Sequence, residues 1–155
     1  MLKYTDYDIV FQEIPDETTL AINLSLCPNH CVGCHSMQLW EDIGEELTEE
    51  VIDYLLTRYG NAITCISLMG GDNDYASVER LARYIRQKGK KAAWYSGKYA
   101  LPTTFSTDSF DYVKIGPYIE AKGPLNKPTT NQRLYKITNQ ELTDITFKFW
   151  KNRDL

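Results

Sequence analysis

The hydrophobic and polar positions of the chain predict strands and helices in alternation. Short apolar runs over residues 8–11 and 18–24, separated by the turn signal Pro15-Asp16, predict two strands. Apolar residues at helical spacing then predict a helix that Thr48 caps and that stops at Gly60. Between these elements, the second strand leads directly into a cluster of cysteines.

The next part of the chain continues the alternation. Residues 63–68 predict a strand that ends in the loop Gly70-Gly71-Asp72, and an apolar helical face then runs from Tyr75 to Ile85. Further strands are predicted at residues 91–95, 111–115, 133–137 and 145–150. Because strands and helices alternate, we expect an α/β fold with parallel strands and right-handed crossovers.

Three loops that follow predicted strands carry candidate functional groups. They are residues 27–34 with their cysteines, Gly70-Gly71-Asp72, and Ser96-Gly97. In α/β sheets, functional groups gather in the loops at the carboxyl ends of the parallel strands. We therefore expect one edge of the sheet to bring these three loops together.

Length and composition predict a single cytoplasmic domain covering residues 1–155. The chain is 43% hydrophobic and 25% charged, has no apolar run near the roughly 20 residues that a membrane span needs, and begins without a secretory signal. The net charge of −4 and the scattered basic residues disfavour nucleic-acid binding. Four cysteines, three of them clustered, indicate metal or redox chemistry rather than a disulfide framework.

The clustered cysteines, Cys27, Cys31 and Cys34, are candidate metal ligands. Thiolates select zinc, copper(I) or iron–sulfur clusters, and three ligands leave a fourth position open for a substrate or cofactor. His30 or His35 could complete a structural zinc site, but zinc sites usually assemble from two separated ligand pairs. The spacing therefore favours an iron–sulfur cluster held by three cysteines.

The loop Gly70-Gly71-Asp72 has two interpretations. The glycines could simply make a tight turn, with Asp72 or Asp74 capping the following helix. Alternatively, they could let the backbone approach a ligand closely while Asp72 holds an ammonium group. Beside an open metal site we favour ligand binding, whereas Cys65, among apolar residues, is expected to be a small buried hydrophobe.

The arrangement Cys27-x3-Cys31-x2-Cys34, followed by Gly70-Gly71-Asp72 after the next strand, resembles the radical S-adenosylmethionine superfamily. Further blocks resemble, in the same order, segments of the activating proteins of anaerobic ribonucleoside-triphosphate reductase. These blocks are Ala93 to Gly97, Gly116 to Glu120, and Thr130 to Arg133. The likeness covers residues 8–137, nearly the whole chain.

The resemblance implies a small, partial (open) β/α barrel with parallel strands, of the radical S-adenosylmethionine core type. In such proteins the three cysteines bind a [4Fe–4S] cluster, and S-adenosylmethionine chelates the fourth iron. One electron cleaves the cofactor, and the resulting 5′-deoxyadenosyl radical takes a hydrogen atom from a backbone glycine of the partner reductase. A low-potential donor such as a flavodoxin or ferredoxin would supply the electron.

The resemblance also implies roles for loop residues around S-adenosylmethionine. Gly70, Gly71 and Asp72 would contact the methionine moiety. Ser96 and Gly97 would lie further along the cofactor groove, and Gly33 and His35 would pack against the adenine. Three positions depart from the family pattern. His35 stands where the family usually has Tyr, Phe or Trp. Asn73 stands where a proline often follows the acidic residue, and Ile115 stands where the family often has an acidic residue before Gly116.

Two alternative functions remain open. The chain could activate a different glycyl-radical enzyme of the formate-lyase type, which the block from Thr130 to Arg133 disfavours. It could also be a non-catalytic adaptor that binds zinc through the same cysteines.

Overall fold

A computed structural model of the chain describes residues 1–25 and 41–150, and within them eight strands form one mixed sheet in the order β3-β1-β2-β4-β5-β6-β7-β8. The helices are α1 (Glu49–Tyr59) and α2 (Tyr75–Gln87), with short 3-10 turns at Gly60–Ala62 and Thr146–Phe149. The strands are β1 (Lys3–Val10), β2 (Thr19–Leu24), β3 (Glu45–Glu46), β4 (Cys65–Met69), β5 (Lys91–Tyr95), β6 (Tyr112–Ile115), β7 (Arg133–Thr138) and β8 (Glu141–Asp144).

The centre of the sheet is parallel and its flanks are antiparallel. β2, β4, β5 and β6 pair in parallel, with Ile22 opposite Leu68 and Leu68 opposite Trp94. β1, β3, β7 and β8 pair antiparallel at the two sides. The parallel pairing predicted from the alternation of strands and helices is therefore confirmed for the four central strands.

Both predicted helices are present, and side-chain caps define their starts. Thr48 Oγ1 accepts a hydrogen bond from the amide of Val51 at 3.3 Å, and Asp74 Oδ1 accepts one from the amide of Ser77 at 3.2 Å. These caps satisfy amides that have no partner within the helix. Asp74, rather than Asp72, is thus the capping residue of α2.

The two faces of the sheet bury different clusters of side chains because successive residues of a strand point to opposite faces. The outer face packs against the helices through a large core that includes Ile22, Leu68 and Trp94. The inner face carries a smaller cluster of Ile14, Cys65, Ala93, Tyr112, Leu134 and Ile145. Cys65 is fully buried there, which confirms the expectation of a small buried hydrophobe, and burial raises the pKa of its thiol to about 12.

The C-terminal strand predicted at residues 145–150 is wrong, because Thr146–Phe149 forms a 3-10 turn. The last strand is instead β8, which pairs with β7 through a hairpin turn at Asn139 and Gln140. Thr146 ends the strand pairing because its Oγ1 accepts the hydrogen bond of the Leu134 amide at 2.8 Å, in place of a backbone carbonyl.

The first strand is longer than the sequence predicts. β1 begins at Lys3 rather than at residue 8, and its early part pairs with β2 and with the short β3. Polar residues in this flanking strand conceal the strand pattern, because none of its residues is fully buried and Asp6 and Asp8 are exposed. Across residues 1–25 and 41–150, no helix is long and apolar enough to cross a membrane.

Glu17 ties the connection between β1 and β2 to the amino ends of the central strands. Its buried carboxylate accepts hydrogen bonds from Lys91 Nζ at 2.8 Å, Tyr112 OH at 2.7 Å and Thr64 Oγ1 at 2.7 Å. Burial by itself would raise the pKa of Glu17, but the three hydrogen bonds outweigh it and hold the pKa below its ordinary value. The ionised carboxylate therefore stabilises the fold.

We predict that Glu17→Gln lowers the free energy of unfolding by about 1.5–3 kcal/mol at pH 7, because it removes the charge that these donors bind. A lowered pKa in the folded state stabilises the protein above the unfolded value of about 4.3, and the contribution is lost as pH falls through the folded pKa. Urea unfolding across this pH range should therefore show the two proteins converging in acid.

The matched control for this prediction is Glu141→Gln, at an exposed position of β8. It should change the free energy of unfolding by less than about 0.5 kcal/mol. Equal destabilisation by the two substitutions would contradict the role assigned to Glu17.

Candidate functional site

The candidate site lies where the parallel strands end. The loop after β4 stays attached to β5, because the amide of Gly70 donates to the carbonyl of Tyr95 at 2.9 Å. The indole of Trp94 donates to the carbonyl of Gly70 at 2.6 Å. These two bonds fix the position of the glycine pair at the carboxyl edge of the sheet.

Asp72 joins the loop after β4 to the loop after β5. Its Oδ1 accepts a hydrogen bond from Ser96 Oγ at 2.5 Å, and its Oδ2 accepts one from the amide of Gly97 at 2.8 Å. The predicted meeting of these two loops is therefore confirmed. These two hydrogen bonds hold the carboxylate of Asp72 at the carboxyl edge of the sheet.

The glycine pair is required by backbone conformation and by packing. Gly70 has φ +110° and Gly71 has φ +86°, which lie in the left-handed region that favours glycine. A Cβ atom on Gly71 would lie only 2.7 Å from Val78 Cγ2 and 3.0 Å from Leu24 Cδ1. The loop after β4 can therefore lie directly against Leu24, the last residue of β2.

The residues predicted to bind the cluster and the adenine lie outside the described residues. These are Cys27, Cys31, Cys34, Gly33 and His35, all within residues 26–40. The described chain leads toward them through Ser25, whose amide donates to the carbonyl of Lys3 at 2.9 Å. Because β2 and β4 are parallel neighbours, Ser25 and Gly70 leave the sheet at the same edge.

Lys114 belongs to this edge and was not singled out from the sequence. Its side chain is only 7% exposed, and its Nζ donates to the carbonyls of Gly116 at 2.8 Å and Ser96 at 3.2 Å. The signal available in the sequence is alternation along β6, where Lys114 shares the inner face with the buried Tyr112. A lysine at such a position must find polar partners within the protein.

Two of the family-like blocks meet beside Lys114. Gln132 Nε2 donates to the carbonyl of Gly116 at 3.4 Å, and Asn131 Nδ2 donates to the carbonyl of Pro117 at 3.1 Å. Within the described residues, Asn131 Oδ1 is buried and accepts no hydrogen bond. The segments from Gly116 and from Thr130 therefore form one polar wall next to the loop after β5.

The structure places two positions that depart from the family pattern. Ile115 packs against the large outer core, and Asn73 is exposed between Asp72 and the cap of α2. Neither side chain is among the hydrogen bonds that join Asp72, Ser96 and Lys114. Elsewhere in residues 1–25 and 41–150, no group of three or more His, Cys, Asp or Glu side chains could hold a metal ion.

Comparison with protein families matches residues 18–143 to a family described as a 4Fe-4S single cluster domain. This segment is more than half of the chain and contains Cys27, Cys31 and Cys34 together with Asp72 and Ser96. No curated protein and no solved structure matches the chain.

We predict that Gly71→Ala destabilises the protein by about 2–4 kcal/mol, because it combines strain at positive φ with overpacking against Val78 and Leu24. The matched control is Gly89→Ala, since Gly89 has a similar φ of +88° but nothing within 4 Å of the added Cβ. Its cost should be about 1 kcal/mol, from backbone strain alone. Equal unfolding free energies for the two variants in urea would show that packing at Gly71 is not tight.

Proposed function

The chain belongs to the 4Fe-4S single cluster domain family, and from this premise we propose that it is a radical S-adenosylmethionine enzyme. Its protein substrate is anaerobic ribonucleoside-triphosphate reductase, on which it generates a glycyl radical. Cys27, Cys31 and Cys34 serve as the three protein ligands of the cluster. S-adenosylmethionine would bind at the iron that these three cysteines leave without a protein ligand.

The residues present fit both groups. Three thiolates are the ligands that an iron–sulfur cluster prefers, and their count leaves one iron without a protein ligand. Beside the start of the cysteine segment, the absence of a side chain on Gly71 lets the loop after β4 pack against Leu24. Asp72 supplies a carboxylate at the same edge for the amino group of the cofactor.

The proposal extends to the architecture. We propose that the sheet is an open β/α barrel of the radical S-adenosylmethionine type, with β2, β4, β5 and β6 as its parallel core. The support is their parallel register and the α helices that connect β2 to β4 and β4 to β5. The ligand groove then runs along the carboxyl ends of these strands.

Held by Cys27, Cys31 and Cys34, the cluster together with S-adenosylmethionine would supply the one-electron chemistry that removes a hydrogen atom from the partner's glycine. The chain's own residues bind and orient the cofactor. Asp72 holds the amino group, while Ser96 and Gly97 keep the carboxylate in place through their hydrogen bonds to it. Gly70 and Gly71 allow the backbone to lie close to the methionine moiety.

The proposed partners follow from this chemistry and from the remaining blocks. A low-potential protein such as a flavodoxin or ferredoxin donates the electron. The reductase supplies the glycine loop, and the polar wall formed by the segments from Gly116 and Thr130 borders the groove through which that loop approaches. These two blocks favour the reductase over an enzyme of the formate-lyase type.

One combination of observations carries the proposal. The three-cysteine segment lies within the matched family region, and it follows β2 at the edge where Asp72 bonds Ser96 and Gly97. A zinc-binding adaptor would need the cysteines but would not need this neighbouring carboxylate loop.

We predict that anaerobic reconstitution with iron and sulfide gives a brown protein whose absorbance bleaches with dithionite. Adding S-adenosylmethionine should change the electron paramagnetic resonance spectrum of the reduced protein, because the cofactor coordinates iron directly. Cys31→Ala should lose the cluster, whereas the matched control Cys65→Ala should keep it because Cys65 is buried in the inner cluster. A colourless protein with one tightly bound zinc would refute the proposal and support the adaptor.

The choice of partner is tested with the same preparation. Incubation with S-adenosylmethionine, a reductant and the anaerobic reductase should produce the resonance of a glycyl radical on the reductase. Radical formation only on a formate-lyase type enzyme would assign the chain to that alternative group of activators.

A further inference from the structure

Lys114 is a cation buried at the junction of two loops of the candidate site. Its Nζ bonds the carbonyl of Ser96, which follows β5, and the carbonyl of Gly116, which follows β6. A buried ammonium group is strongly disfavoured unless polar groups replace its water. The burial of Lys114 therefore requires the carbonyls of the two loops to accept hydrogen bonds from its ammonium group.

Each of these carbonyls belongs to a residue that makes further contacts. The hydroxyl of Ser96 donates to Asp72 at 2.5 Å and accepts from the amide of Lys98 at 3.1 Å. The amide of Gly116 donates to the carbonyl of Lys98 at 2.6 Å, and its carbonyl accepts from Gln132. Lys114 thus stands at the centre of a chain of hydrogen bonds from Asp72 to Gln132.

The ammonium of Lys114 also lies near an aromatic ring. Nζ lies 5.6 Å from the centroid of the Tyr95 ring, a distance at which the ring attracts a cation. The Tyr95 hydroxyl donates to the carbonyl of Glu13, which holds the ring in place. The apolar cluster around Ile14 and Tyr112 fills the inner face nearby. Lys114 therefore lies between this packed part of the inner face and the carboxyl edge.

We infer that Lys114 is a positioning residue of the ligand groove, which acts through Ser96 to hold Asp72 in its binding orientation. The lysine fixes the backbone of Ser96, and the hydroxyl of Ser96 fixes the carboxylate of Asp72. The ligand affected is one that presents an ammonium group to Asp72. That ligand assignment rests on the proposed function, whereas the linkage from Lys114 to Asp72 rests on the contacts alone.

The linkage is tested first without any ligand, by amide hydrogen exchange of the cluster-loaded protein. Lys114→Met keeps an unbranched side chain of nearly the same length and removes its charge and its donors. We expect at least ~10-fold faster exchange at Gly97, Lys98 and Gly116, with unchanged exchange in α1. The matched control Lys136→Met, at an exposed position of the neighbouring β7, should leave all of these amides unchanged.

The second arm titrates S-adenosylmethionine and follows the resonance of the reduced cluster. Lys114→Met should weaken binding at least ~10-fold, equivalent to about 1.4 kcal/mol, and Lys114→Arg should recover most of the loss. Should Lys114→Met not fold, Lys114→Gln takes its place, since it keeps a neutral donor and should give a smaller loss in the same direction.

The outcomes separate this inference from the proposed function. Wild-type affinity and wild-type exchange in Lys114→Met would overturn the inference. A lower melting temperature with unchanged affinity and loop exchange would show a merely structural lysine and would overturn it too. If wild-type protein itself gives no response to S-adenosylmethionine, the proposed function fails. Hydrogen exchange then tests the linkage from Lys114 to Asp72 by itself. Faster exchange at the amides of Gly97, Lys98 and Gly116 in Lys114→Met supports the linkage, and unchanged exchange overturns it.

Discussion

The parallel register of β2, β4, β5 and β6 is the constraint on which the rest of the structure depends. Parallel strands end together, so their last backbone groups lose sheet partners along one edge and need others. Here the carboxylate of Asp72 takes up the amide of Gly97, and the ammonium of Lys114 takes up the carbonyls of Ser96 and Gly116. Charged side chains of the protein itself thus complete the hydrogen bonding at this edge of the sheet.

The inner face of the sheet is closed differently at the two ends of its strands. Toward the amino ends of the strands, Ile14 and Tyr112 pack together and Glu17 is held by three donors, so this region is closed by side chains of the protein itself. Toward the carboxyl ends, Lys114 and Asp72 lie beside loops. Burial opposes the charge of Glu17, and its three hydrogen bonds outweigh that penalty. At the carboxyl edge the ammonium of the buried Lys114 is met by two carbonyls.

The sequence predicted the elements whose local signals agree with their tertiary environment. Both helices have a cap, an apolar face and a terminal glycine, and the buried central strands are nearly continuous apolar runs. It failed at the flanks, where β1 carries polar residues and where the hydroxyl of Thr146 replaces a backbone acceptor and ends the pairing. Such competition between a side chain and the backbone depends on a partner distant in sequence, so no local pattern reveals it.

In the candidate site, too, some residues could be predicted from the order of elements and others only from the assembled sheet. The order of strands was enough to predict that Asp72 would meet Ser96 and Gly97, because parallel strands bring their following loops together. The order was not enough to find Lys114, since a lysine within a short strand usually lies at the surface. Lys114 is buried because it lies on the inner face of β6, where two carbonyls from adjacent loops accept its hydrogen bonds. Both features arise only when the sheet is assembled. The contact of Gly71 with Leu24 arises in the same way, and it links this polar edge to the start of the cysteine segment.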